Sequence, residues 1–199
     1  MNYLAHLYLS GEDDAVRFGN YLGDHLRRSQ WAQYPERVRM GLELHALIDE
    51  TTDRHPKVLA SRQRMRPSQH KFSPVVQDLL YDHFLAVHWN RFHPMGLEEY
   101  SVDVYRRLER YRDVMPAGVV RMYEHMSRHN WLLSYAETDG LNQALGGMAR
   151  RTRFASDMAT AVRDLESEWG AYEDDFLAFF PDLQAEVRRF LGPGFSLPF

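Results

Sequence analysis

The chain contains no cysteine, which excludes disulfides, thiolate zinc sites and cysteine nucleophiles. It also lacks an excess of basic charge. Its 24 Lys and Arg stand against 28 Asp and Glu, a formal net charge of −4, so no nucleic-acid partner is expected on overall balance. No apolar run approaches the length of a membrane span. The opening MNYLAHLYLSGEDD turns acidic too soon for a signal peptide. These absences point to a cytoplasmic protein without a membrane partner. Period-two alternation of β-branched residues is nearly missing. No G-x-x-x-x-G-K-[ST] loop, G-x-G-x-x-G turn, G-x-S-x-G elbow or H-E-x-x-H helix is present, which leaves the corresponding nucleotide-binding, serine-hydrolase and zinc-peptidase chemistries without support.

What is present is ordinary globular material: 199 residues, 44% hydrophobic and 26% charged, enough for one domain with a sizeable core. All ten histidines precede residue 130, and eight of them lie within the first 93 residues. The periodicity is helical nearly throughout and predicts an all-α, single-domain bundle over 1–199. A first helix is expected from Glu12 to Arg28, with acids in its first turn and bases in its last. A second opens at Pro35 and runs to about Asp53, with His55-Pro56 marking its end and a restart. Ser73-Pro74 opens a third, through about Arg91. Further helices are expected at about 97–112, 116–129, 137–148, 156–179 and 181–191.

Placing the second helix at 100° per residue puts His45 and Asp49 on one face with Val38, Leu42 and Ile48, and Asp53 one turn further along. An inward-facing carboxylate needs a partner, and a cation is one of the few that keeps it ionised. A His–Asp hydrogen bond that only stiffens the core satisfies the same pattern. In the helix after Pro74, Asp82 interrupts an apolar stripe of Val75, Leu79, Ala86 and Trp89, with His83 next to it. Either the two hold a metal, for which mixed nitrogen and oxygen donors suit Mn²⁺, Fe²⁺ or Zn²⁺ better than Ca²⁺, or Asp82 caps a neighbouring element. Asn20 and Asp24 are spaced i,i+4 and flanked by Gly19 and Gly23, glycines that imply close approach of a backbone or a ligand. Asn2 and His6 repeat the spacing at the N-terminus. Four segments thus turn polar groups inward, which is how helical bundles build metal sites. His125 and His129, beside Arg121 and Arg128, read as surface or partner-facing.

Four blocks carry a resemblance: N-Y-L-A-H-L, G-N-Y-L-G-D, G-L-E-L-H-A-L-I-D-E-T-T-D and D-L-L-Y-D-H-F-L-A-x-H-W, in that order and with the later Leu145-Gly146-Gly147-Met148-Ala149. Together they resemble the acyl carrier protein phosphodiesterase family. The resemblance implies a helical fold distantly related to the HD-type metal-dependent phosphohydrolases. It also implies hydrolytic removal of 4′-phosphopantetheine from the serine of holo-acyl carrier protein, with Mn²⁺ preferred and Mg²⁺ or Fe²⁺ as alternatives. The sequence carries Asp82-His83 in place of the contiguous His-Asp of HD proteins.

On this basis the expected metal ligands are His45, Asp82 and His83, with Asp24 as a fourth ligand or the base that orients water. Asp49 is expected in a supporting role or as a further ligand, and His6 and Asn20 as phosphate or ligand contacts, with Asp53 and His55 at the rim. Replacing Asp82 by alanine is then expected to abolish turnover with helicity intact. Because acyl carrier proteins are acidic, a basic docking surface is expected. The candidates are Arg27-Arg28, the run Arg62, Arg64, Arg66 and Lys71, and Arg150-Arg151 with Arg153. The run before the Asp82 helix is the first choice among them. A nucleotide or small phosphomonoester hydrolase, and a helical binding module without catalysis, fit the same polar interior.

Overall fold

The helical periodicity is realised as eleven α-helices and no strand among the described residues, 1–198, of the computed structural model. They are α1 (Tyr3–Leu9), α2 (Asp14–Leu22), α3 (Glu36–Arg54), α4 (Pro56–Gln69), α5 (Ser73–Val87), α6 (Leu97–Glu109), α7 (Ala117–Arg128), α8 (Trp131–Ser134), α9 (Thr138–Arg151), α10 (Ala161–Leu165) and α11 (Trp169–Leu191). The fold class expected from sequence is the one observed. Among the described residues no helix is long and apolar enough to cross a membrane.

Several boundaries follow the punctuation closely. His55 closes α3 with its backbone N–H on the Thr52 carbonyl, and its imidazole accepts from the Lys57 N–H, so one residue caps two helices around the Pro56 restart. Other boundaries differ. The helix expected over 12–28 begins at Asp14, capped by the Asp13 side chain, and tightens into a 3₁₀ turn at Gly23–His25. Ser73 lies inside its helix and not at the cap, its hydroxyl donating to the His70 carbonyl. The break expected before Pro181 does not occur. Pro181 sits on the exposed side of α11, where its missing N–H costs one ladder bond. Meanwhile Phe176, Phe179, Phe180, Leu183 and Val187 continue one buried stripe across it.

Two features place the site. The first is a backbone-to-backbone crossing of α2 and α3. A Cβ on Gly19 would lie 2.0 Å from the Val38 carbonyl oxygen, and one on Gly41 would lie 2.0 Å from that of Val16. Only glycine at both positions lets the axes come this close, and the crossing brings Asn20 against His45. The second is α11, whose aromatic stripe packs on Tyr8, Tyr81, Phe84 and Phe92. It thereby holds α1 and α5 in one hydrophobic cluster.

Candidate metal centre

Three helices and one turn converge on a group of imidazoles and carboxylates. His6 comes from α1, Asn20 from α2, Asp24 from the turn after α2, and His45 and Asp49 from one face of α3. The His6 and His45 rings stack with centroids 4.1 Å apart and planes 20° from parallel. Their outward nitrogens meet the same carboxylate: His6 Nε2 is 3.3 Å from Asp49 Oδ1, and His45 Nε2 is 3.2 Å from Asp49 Oδ2. Asp24 Oδ1 lies 3.3 Å from His45 Nε2. His6, His45 and Asp49 form a donor group compact enough to hold one ion.

Asn20, fully buried, sets both tautomers. The Asn20 backbone oxygen can only accept, so His45 Nδ1, 2.9 Å away, donates to it. The Asn20 amide nitrogen donates to the His6 carbonyl and the Ser10 hydroxyl, which leaves its Oδ1 to accept from His6 Nδ1 at 2.8 Å. Each neutral ring therefore turns an Nε2 lone pair toward a carboxylate, a repulsive pairing unless a proton or a cation sits between them. Two donors bonded to one ion at about 2.1 Å, at octahedral to tetrahedral angles, lie about 3.0–3.4 Å from each other. The separations here fall in that window, and outer hydrogen bonds that fix ligating imidazoles are what metal sites use. The residues fit a divalent cation. Gly23 completes the packing, because a Cβ there would lie 2.1 Å from His45 Cγ.

In the absence of an ion, a proton takes that place. Burial pulls the His45 pKa down, but hydrogen bonds and charges from Asp24 and Asp49 outweigh it and push it up to about 9. Burial and the neighbouring His45 lower that of His6. The hydrogen bond from His45 holds Asp24 below the ordinary carboxylate range. Burial opposes ionisation of Asp49, yet its bonds to both imidazoles hold it far below that range.

Asp82 and His83 are not brought to this cluster. Asp82 is fully buried and accepts from the backbone N–H groups of Asn2 (3.0 Å), Leu4 (2.7 Å) and Ala5 (3.4 Å). It caps α1 from outside, satisfying donors that every helix start leaves open. Burial pushes its pKa up to about 7 against those hydrogen bonds. His83 Nδ1 lies 2.7 Å from the Tyr135 carbonyl, and its ring packs on Phe84 and Trp169. Asp53 is drawn away to Arg62, and His55 to Asp182. Conversely His6, expected as a phosphate or ligand contact, is one of the three converging donors, and Asp49 joins both imidazoles.

The favoured basic run is also engaged within the fold. Arg62 pairs with Asp53 and Asp78 and bonds Gln77. Arg64 pairs with the buried Asp175 and with Glu168. Lys71 lies 3.5 Å over the Phe154 ring. Arg66 has no carboxylate partner among the described residues, nor have Arg27 and Arg28, the latter stacked over Trp31. A cleft of about 1040 Å³ opens instead beside Asp24, between the N-terminal segment and α7–α9. His125 and His129, both exposed as the surface or partner-facing reading expected, line it.

With this geometry in hand, comparison with known proteins gives a consistent picture. The family model described as acyl carrier protein phosphodiesterase matches residues 1–183. Proteins named acyl carrier protein phosphodiesterase from Enterobacter sp. (strain 638) and Salmonella dublin are 31% and 30% identical, the alignment covering 95% of this chain and 98% of each relative. One of the same name from Photorhabdus laumondii is 30% identical over 95% of this chain and 96% of its own length. No solved structure matches the chain.

Proposed function

The chain belongs to the acyl carrier protein phosphodiesterase family, hydrolases of phosphodiester bonds, and on that premise we propose that it removes 4′-phosphopantetheine from holo-acyl carrier protein at a divalent metal centre held by His6, His45 and Asp49. The observation that carries the metal reading is the single carboxylate of Asp49 set between two Nε2 atoms whose rings are both locked by Asn20. Two imidazoles with carboxylate oxygens suit Mn²⁺ or Fe²⁺ over Ca²⁺, and manganese is the ion expected. When bound, such an ion supplies Lewis acidity, polarising a phosphoryl oxygen and making water a better nucleophile.

The chain's own groups do the rest. Water adds to phosphorus, the bond from phosphorus to the serine oxygen breaks, and the serine leaves with a proton as apo-carrier. The arm leaves as a phosphomonoester. Asp24 has a side chain 63% exposed and lines the cleft. Ionised at neutral pH by its contact with His45, it is the acceptor that orients the attacking water. Asn20 holds both rings in the tautomer that leaves Nε2 free.

Asp24→Asn keeps the size of the side chain but removes its basicity. It is expected to lower kcat by about 10²-fold or more while bound metal stays near one ion per chain; loss of the metal as well would make Asp24 a ligand instead. Metal binding should also depend on pH. His45 must lose its proton to ligate, so divalent-ion affinity should rise about tenfold per pH unit up to about 9, with close to one proton released per ion. Calorimetry in two buffers of different ionisation enthalpy measures this, and a pH-independent affinity would remove His45 from the ligand set. The activity itself is tested by incubating holo-acyl carrier protein with the purified enzyme and Mn²⁺, with and without a chelator. Mass spectrometry should show conversion to apo-protein only without chelator. An unchanged carrier would overturn the proposed substrate.

A further inference from the structure

The helix glycines fall into two groups. Gly19, Gly41 and Gly140 are required by packing, since a Cβ on any of them would lie about 2.0 Å or less from a backbone oxygen. Gly170 in the first turn of α11 is not, and neither are Gly118 on α7 and Gly146 and Gly147 on α9. A Cβ at the latter three meets nothing closer than the movable tips of Arg121, Arg150 and Arg151, at 3.4–3.9 Å. Each glycine costs a helix up to about 1 kcal/mol relative to alanine, and no contact inside the fold calls for it. All three line the cleft that reaches Asp24. Arg121, Arg150 and Arg151 line it as well, and none has a carboxylate within ion-pair distance among the described residues, Arg151 reaching instead to the Gly147 carbonyl and the Met148 sulfur. In contrast, Arg62, Arg64, Arg107 and Arg112 are each tied to acids of this chain.

A wall of helix without side chains beside a row of cations that no acid among the described residues neutralises, in a cleft opening on a hydrolytic centre, has the features needed by one occupant. That occupant is a slender, amide-rich chain carried by an acidic protein. Resting on the reading above, we propose that this cleft is the channel for the pantetheine arm. Gly118, Gly146 and Gly147 form the wall along which the arm lies, and Arg121, Arg150 and Arg151 form the cationic edge that meets the acidic carrier. Basic docking is thereby assigned to α7 and α9, not to the run on α4 and in the turn after it.

Gly147→Leu tests this with opposite signs. Leucine is the better helix former and has open space at this position, so Tm should hold or rise while the side chain fills the channel. KM for holo-acyl carrier protein is expected to increase tenfold or more, with bound Mn²⁺ unchanged. Gly170→Leu, at a glycine in the first turn of α11 that has nothing within 4 Å of a Cβ and lies outside the cleft, serves as control and should leave KM as it is. Arg150→Glu/Arg151→Glu together should raise KM at low salt. Unchanged KM in Gly147→Leu, or an equal rise in the control, would overturn the channel. Should the unaltered enzyme fail to convert the carrier, the functional reading fails by itself. The channel is then judged by calorimetric titration with free 4′-phosphopantetheine. Binding that Gly147→Leu abolishes upholds it, and no binding, or binding of both alike, overturns it.

Discussion

Asp49→Ala is expected to yield a folded helical protein that holds no divalent ion and turns over substrate about 10²–10⁴-fold more slowly. The size follows from the several kcal/mol that a Lewis-acidic ion contributes to a phosphoryl-transfer barrier, at about 1.4 kcal/mol per decade. The loss falls on chemistry and not on the fold, because of where the carboxylate sits. Its side chain is 45% exposed, so its bonds to the imidazoles are screened and their removal costs the metal-free protein about 1 kcal/mol or less. The signature is a difference in linkage. Mn²⁺ should raise the Tm of the unaltered enzyme by mass action on the folded state and leave that of Asp49→Ala in place. A variant still stabilised by Mn²⁺ would show that the ion is held elsewhere.

Asp82→Ala has the opposite character: a large loss of stability that carries activity with it. Three backbone N–H groups, of the N-cap Asn2 and of Leu4 and Ala5 in the first turn of α1, converge on this carboxylate inside the protein. Leaving buried donors unpaired costs about 1–3 kcal/mol each, partly relieved when the short helix shifts, so about 2–4 kcal/mol in all is expected. For a chain of this length that lowers Tm by roughly 6–12 °C. His6 rides on α1, so Mn²⁺ affinity should fall as well. Raising Mn²⁺ should restore part of the activity, as it would not for a residue in the metal's own shell. A near-unchanged Tm with total loss of activity would return Asp82 to the metal. The sign of its pH dependence follows from a folded pKa raised to about 7. Its proton stabilises the fold fully below about pH 3.9, and that contribution is lost as pH rises through about 7. Asp82→Asn should flatten this part of the stability profile.

The contrast between these two aspartates shows what the sequence makes legible. Helical periodicity identified both as carboxylates on apolar faces and placed His45 with Asp49 correctly, because both statements concern a single helix. It did not say what faces each of them. The donors to Asp82 lie 77–80 residues away, and only tertiary packing tells a capped helix start from a metal ligand. His6 was undervalued for the same reason. Its i,i+4 relation to Asn2 is local, whereas its approach to Asp49 depends on the glycine-to-glycine crossing of α2 and α3 and on the seating of α1 against α5. Gly19 and Gly23 did carry a readable signal of close approach, and it proved to be two signals, one for a backbone and one for the His45 ring. The basic runs show the converse limit. Arg64 and Arg150 are alike in sequence, but the acids that neutralise Arg64 come from α11 and the turn before it, more than 100 residues on. The family words, by contrast, survive in order along the chain, so family membership was legible where the ligand set was not.

The most direct measurement of the central claim is anomalous diffraction at the manganese edge from crystals grown with Mn²⁺. One peak per chain is expected within bonding distance, about 2.0–2.3 Å, of Nε2 of His6, Nε2 of His45 and a carboxylate oxygen of Asp49, beside the cleft mouth at Asp24. A peak at Asp82 and His83, or none at the stacked imidazoles, would contradict it.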